Sequence, residues 1–151
     1  METKLGSIQV GQEKVAFEAV RTNNPSCRST PAYICQKGVI TFTRVRINEG
    51  QGFKNNGTFI APSDGIYHFE VSFNAQQSQV KLEMKTTLSN QIFRLYAKGG
   101  GNSVMDTATL KMKKGDGIYV TNESDIQSYH NYQPIRADYT YPMTFKGFKI
   151  N

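Results

Sequence analysis

Tryptophan is absent from this chain of 151 residues, and cysteine and histidine occur only twice each. Two histidines, His68 and His130, offer little for acid–base chemistry or metal binding. His68 falls on the polar side of an alternating segment, two residues before Glu70, where a surface pair is the simplest reading, since catalysis needs a convergent pocket. No Gly-x-Ser-x-Gly elbow and no zinc signature occurs. Gly99-Gly100-Gly101 lacks the Gly-Lys-Ser/Thr and helix that make a phosphate cradle, so it reads as a hairpin loop. An enzyme is therefore not expected. Long apolar runs are missing too: none approaches the roughly 18 residues of a membrane-crossing helix. The segment Met1–Ser7 has no apolar signal-peptide core, which leaves a cytosolic chain and a mature domain with an added Met1 both open. Acidic residues are in deficit: 18 Lys and Arg against 12 Asp and Glu, a net charge of +6. A basic domain attracts polyanions. No basic block or nucleic-acid motif sharpens that, and no specific nucleic-acid partner or membrane insertion is expected.

What is present is period two. Tyr67, Phe69, Val71 and Phe73 alternate with Ile66, His68, Glu70 and Ser72. Val80, Leu82 and Met84 alternate with Lys81, Glu83 and Lys85, and Leu110 and Met112 with Lys111 and Lys113. Ile118 and Val120 continue after the Lys114-Gly115-Asp116-Gly117 turn; Val15, Phe17 and Ala19 form an early strand, and Phe145 to Ile150 a last one. Turn residues punctuate the chain at Asn48-Glu49-Gly50, Asn55-Asn56-Gly57, Pro62-Ser63-Asp64-Gly65 and Ser89-Asn90. Short alternating strands between turns predict an all-β antiparallel sandwich.

Two stretches break the rhythm, Thr22–Gly38 and Asn122–Pro142, and long loops in a compact domain often carry function. The first holds Cys27 and Cys35. Eight positions apart among Asn, Pro, Ser and Thr, they suit a small disulfide ring in an oxidising compartment; two free thiols in a cytosolic chain are the alternative. Without a neighbouring histidine they do not suggest zinc. The second loop holds Tyr129, His130, Tyr132, Arg136 and Tyr139. Tyrosines among small polar residues make good contact surfaces, and an arginine pairs with carboxylate or phosphate. The same tyrosines would equally serve by packing back on the domain. Asn56 and Asn122 head Asn-x-Ser/Thr triplets and are candidate glycosylation sites.

The run Ile40–Asn48, then Phe53, Gly57-Thr58-Phe59-Ile60-Ala61-Pro62 and Gly65-Ile66-Tyr67-His68-Phe69, closely resembles the signature of C1q globular-head domains. That signature is an aromatic, an Asn six later, an aromatic, Gly-x-Phe, then Pro and Gly-x-Tyr-x-Phe. Val15–Arg21, Leu110–Asp116 and Thr144–Phe148 resemble the family's first strand, its leucine-rich strand with Gly-Asp turn, and its last strand. The Phe53 to Phe59 spacing is one residue short, and both long loops read as insertions. The resemblance covers residues 15–151 and leaves 1–14 as an N-terminal extension. It implies a ten-stranded antiparallel jelly-roll sandwich that assembles as a threefold trimer, as in the tumour-necrosis-factor superfamily. Phe17, Phe42, Tyr67, Phe69, Phe145 and Phe148 are then the residues of the core and the trimer axis, not divided between the two by sequence. Relatives of this fold can hold calcium near the trimer apex. Lys98–Ser103 has no carboxylate and only Asp106 follows, so no metal or other cofactor is expected, calcium being the one ion the resemblance keeps in view.

These readings together point to a secreted homotrimer that recognises glycans or anionic microbial surface ligands in innate defence. The alternatives are a trimeric cytokine-like ligand for a cell-surface receptor and a structural matrix trimeriser.

Overall fold

A computed structural model of the chain describes residues 14–22, 33–34, 36–76, 80–98, 100–124 and 135–151, the side chain of Tyr33 excepted. Cys27 and Cys35 lie outside the described residues. A strand with one apolar side buries it by laying that side on a second sheet. Most of the twelve strands among the described residues do so. The first sheet contains β1 (Ala16–Arg21), β2 (Tyr33–Ile34), β4 (Arg44–Glu49), β6 (Gly65–Ala75), β9 (Asn102–Met112), β11 (Ile135–Arg136) and β12 (Met143–Lys149). The second contains β3 (Gly38–Val39), β5 (Phe59–Ile60), β7 (Val80–Thr86), β8 (Ile92–Ala97) and β10 (Gly117–Asn122). β12 lies between β1 and β6, β6 pairs with β9 along its whole length, and β4 runs along the far side of β1, all antiparallel. Neighbours in space are mostly distant in sequence, the crossover pattern of the expected jelly roll. Four of the twelve strands are only two residues long, and among the described residues there are twelve hydrogen-bonded segments where the resemblance implies ten.

The buried stripe of β6 (Tyr67, Phe69, Val71, Phe73), with Phe17 and Phe145, faces Val80, Leu82 and Met84 of β7 and Ile118 and Val120 of β10. Phe17 is the hub. It stacks on Phe59 at 4.7 Å and Phe53 at 5.1 Å, and meets Phe145 edge-on at 5.0 Å. The six aromatics that sequence left undivided now separate. Phe17, Tyr67, Phe69 and Phe145 are core, and Phe42 is half-buried against them, 5.9 Å from the Phe145 ring. Phe148 lies on the other side of β12 and is 48% exposed.

The motif residues have local reasons. The Asn48 amide donates to the Phe53 carbonyl (3.1 Å) and accepts from its N–H (3.0 Å), so it fixes the Phe53 ring. Phe53 bridges to Phe59, and Lys54 N–H donates to the Thr58 carbonyl at 2.8 Å; the short spacing is a tight turn. Gly57 has φ +90°, and a Cβ there would sit 2.5 Å from the Ile40 carbonyl oxygen. The buried Asp116 carboxylate accepts from Leu88 N–H (2.9 Å) and Ser89 Oγ (2.7 Å), tying the Gly-Asp turn to the β7–β8 connection. Strand β8 was not legible in sequence. Phe93 and Leu95 pair with the buried Met84 and Leu82, but two of its three outward residues, Ile92 and Tyr96, are also apolar, which hides the alternation.

Gly147 pairs with both Phe17 and Phe69 across β12, and its missing side chain makes room for their rings. A Cβ there would lie 2.5 Å from the Phe69 ring and 2.9 Å from that of Phe17. Gly147→Ala should therefore destabilise the domain by about 1–3 kcal/mol through overpacking. A urea unfolding midpoint equal to wild type would show that the rings are not packed this tightly.

Candidate functional site

Both long loops that sequence singled out are rooted at one end of the sandwich. Arg21, which pairs with Met143, leads into the first loop, and Gly38, which pairs with Asn122, follows it. The second loop leaves after Ser124 and returns at Ile135, which pairs with Ala75. The connection at Gly100 and Gly101 is not the hairpin expected from sequence, because it joins β8 of the second sheet to β9 of the first; it is held to the same end, where Gly100 and Gly101 N–H donate to the Ala75 carbonyl at 3.1 and 2.9 Å. Asn122 joins the two roots. Its amide donates to the Gln36 carbonyl (3.0 Å) and accepts from Ser124 N–H (3.0 Å). Ser124 Oγ accepts from Lys81 N–H (2.8 Å) and donates to the Lys81 carbonyl (3.1 Å). Asn122, a glycosylation candidate by sequence, is thus a structural amide with 0% of its surface exposed and no room for a glycan. Asn56, the other candidate, is exposed, its carbonyl oxygen accepting from Thr58 N–H at 3.1 Å.

Of the five candidate contact residues, Tyr129, His130 and Tyr132 lie outside the described residues. Arg136 and Tyr139 are described. Arg136 Nε donates to Asp138 at 2.7 Å, and its guanidinium lies 4.6 Å from the centre of the Tyr141 ring. The second Asp138 oxygen accepts from Thr140 and Tyr141 N–H at 3.0 and 2.7 Å. Arg136 is therefore held in a closed cluster, while the Tyr139 ring beside it is 80% exposed. Arg21 closes the inward stripe of β1. Burial lowers its pKa, its Nη1 donates to the Thr41 carbonyl at 3.1 Å, and its Nε has no partner among the described residues.

The outward face of the first sheet was missed by sequence reasoning. Ile47, Ile66, Phe148 and Ile150 are exposed there, with Met105 further along β9. Ile47, Phe148 and His68 line a shallow groove with Ala16, Glu18 and Glu70. The charges that line the groove are paired within it: Glu18 with Arg46 at 3.3 Å and Glu70 with Lys146 at 3.2 Å, while Lys111, across from Ile66, is exposed. His68 Nδ1 is 2.8 Å from Thr109 Oγ1, and its ring is 5.4 Å from Phe148, so it has no acid–base partner in Glu70. Strand parity could have found this set, since residues 66, 68 and 70 share a side; that side reads as polar, with Ile66 its one apolar residue, and so does not stand out.

No three acidic, histidine or cysteine side chains come together among the described residues. Asp106, the carboxylate that follows this connection in sequence, accepts from Thr107 N–H, and among the described residues this donor set does not fit a hard cation. Among the described residues, no helix is long and apolar enough to cross a membrane.

A family model described as the C1q domain matches residues 16–150. The chain belongs to the C1q-domain family. The globular domain of zebrafish complement 1qA superposes with a TM-score of 0.68 at 20% identity, over 92% of this chain and 98% of that one. Murine APRIL gives 0.59 at 14% identity, over 91% of this chain and 100% of that one. The Eiger tumour necrosis factor of S. frugiperda gives 0.58 at 11% identity, over 93% and 94%. At these identities the likeness is one of fold, and it places this C1q domain among the jelly rolls shared with tumour-necrosis-factor ligands.

Within this C1q domain, Asn122→Ala would leave the buried Ser124 N–H without its acceptor and the Gln36 carbonyl without its donor, a loss of about 1–3 kcal/mol. Thermal unfolding should shift accordingly. Peptide mass mapping of protein from a glycosylating host should find residue 122 bare; a glycan there would contradict its burial.

Proposed function

We propose that this C1q domain is a secreted, non-enzymatic recognition module of innate defence. It acts as a homotrimer that binds glycans or anionic microbial surface ligands, such as lipopolysaccharide, by multivalent non-covalent contacts. The observation that carries the reading is the outward face of the β9–β6–β12–β1–β4 sheet. Ile47, Ile66, Phe148 and Ile150 form an exposed apolar set, the charges between Ile47 and Phe148 are paired with each other, and such sets mark protein–protein contact. Further copies of the same chain suit this face, because its paired charges ask for no charged partner. Self-association of three copies repeats every weak surface contact, and avidity then exceeds any single affinity by orders of magnitude. The net charge of +6 favours anionic ligands. Tyr139 offers an open ring at the loop end, and Tyr129, His130, Tyr132 and Arg136 belong to the same proposed contact region.

The likeness of fold to tumour-necrosis-factor ligands keeps a receptor-binding ligand as the second reading. Saturable binding to a cell-surface protein that survives glycan removal would replace the first reading with it.

Light scattering on a size-exclusion column should give three times the 17.0 kDa chain mass, unchanged by EDTA. The double variant Ile47→Glu/Phe148→Glu should run as a monomer with unchanged circular dichroism and lose most of its binding to immobilised lipopolysaccharide. A monomeric wild type, or a double variant that stays trimeric, would remove the structural basis of the proposal.

A further inference from the structure

Three cations of the first sheet carry a local acid: Arg46 with Glu18, Lys146 with Glu70, Arg136 with Asp138. The outward face of β7 and β8 departs from that balance. Lys81, Glu83 and Lys85 point out from β7; Ile92, Arg94 and Tyr96 point out from β8, with Lys98 next on that side. Glu83 is shared by Arg94 at 3.2 Å and Lys85 at 3.4 Å, and Lys85 reaches on to Glu123 at 3.3 Å. Partial burial works against the Lys85 ammonium, but Glu123 and Glu83 outweigh it and raise its pKa. Among the described residues, neither Lys81 nor Lys98 has an acidic partner. Both border Tyr96: Lys81 directly across the β7–β8 pairing, and Lys98 two residues along. Arg94 borders it on the other side. The ring itself is 68% exposed and takes no part in the core.

The platform is held rigidly. β8 is paired to β7 over its whole length, and the backbone of Lys81 is clamped by three hydrogen bonds, two to Ser124 Oγ and one from Glu123 N–H. β8 is also the outer strand of its sheet, so the face is open on that side. Resting on the recognition reading above, we propose that Tyr96 with Lys81, Arg94 and Lys98 forms a contact site for an anionic polysaccharide. The ring stacks on the apolar face of one sugar, and the flanking cations take sulfate or carboxylate groups on the sugars to either side. Ammonium groups accept such oxygens from many directions, while the Arg94 guanidinium adds directed charge-assisted hydrogen bonds. A lone ring bordered by cations matches one sugar residue of a repeating chain. Single-stranded nucleic acid is held by successive rings for successive bases, which this face does not offer.

Surface plasmon resonance against an immobilised heparin octasaccharide tests the site, with neutral dextran and an oligothymidylate of equal charge as comparisons. Wild type should bind the octasaccharide, ignore dextran, and weaken as salt shortens the reach of the charges. Tyr96→Ala and Lys81→Ala/Lys98→Ala should each weaken octasaccharide binding about tenfold or more. Lys113→Ala, an exposed lysine elsewhere, should stay within about twofold on the same scale. Circular dichroism and mass in solution should be those of wild type for every variant. If wild type binds and the Tyr96 and double-lysine variants bind equally well, the site is elsewhere and the recognition reading stands. If wild type binds neither the octasaccharide nor lipopolysaccharide, both fall. Tighter binding to the oligothymidylate, lost in Tyr96→Ala, would overturn the assignment in favour of nucleic acid.

Discussion

The contact of Phe17 with Phe53, Phe59 and Phe145 is the constraint on which the rest depends. It brings rings from β1, β5, β12 and the turn before β5 to one point between the sheets. Each such pair is worth about 0.5–1.5 kcal/mol beyond its buried area. Gly147 keeps β12 close beneath the rings, and the reciprocal bonds of Asn48 to Phe53 hold one of them in place. Moving any of these strands by one residue would turn its aromatics out to water.

The same pleat that buries Phe145 turns Phe148 outward on the same strand. Core and association surface are thus two sides of one sheet, and a change that shifts the core register also scrambles the outer face. The proposed assembly and the fold share their determinants for that reason.

Charge follows a similar division. On the proposed association face Arg46 and Lys146, and at the loop end Arg136, are each matched by a neighbouring carboxylate. On the outward face of β7 and β8, one glutamate serves two cations, and among the described residues Lys81 and Lys98 have no acidic partner. The unbalanced face is the natural place for an anion. Arg136, singled out in sequence for that work, already has Asp138 and Tyr141 around it.

By itself the sequence determined the all-β antiparallel class, the position of most strands and the family. Period-two alternation, turn residues and motif spacing are local properties of the chain, and local sterics dictate what they build. It also marked the two loops, as breaks in that period. Only the tertiary structure decided which side is inner where both sides carry apolar residues, so Phe42 and Phe148 could not be told apart by residue type. Nor could the chain show that Asn122 is sealed between two loop roots by Gln36, 86 positions away. Strand β8 stayed hidden because its outward side is half apolar, and the cluster around Tyr96 appears only when β7 lies beside it. Burial and cross-strand proximity are set by pairing between distant segments, and no local pattern encodes which segments will meet.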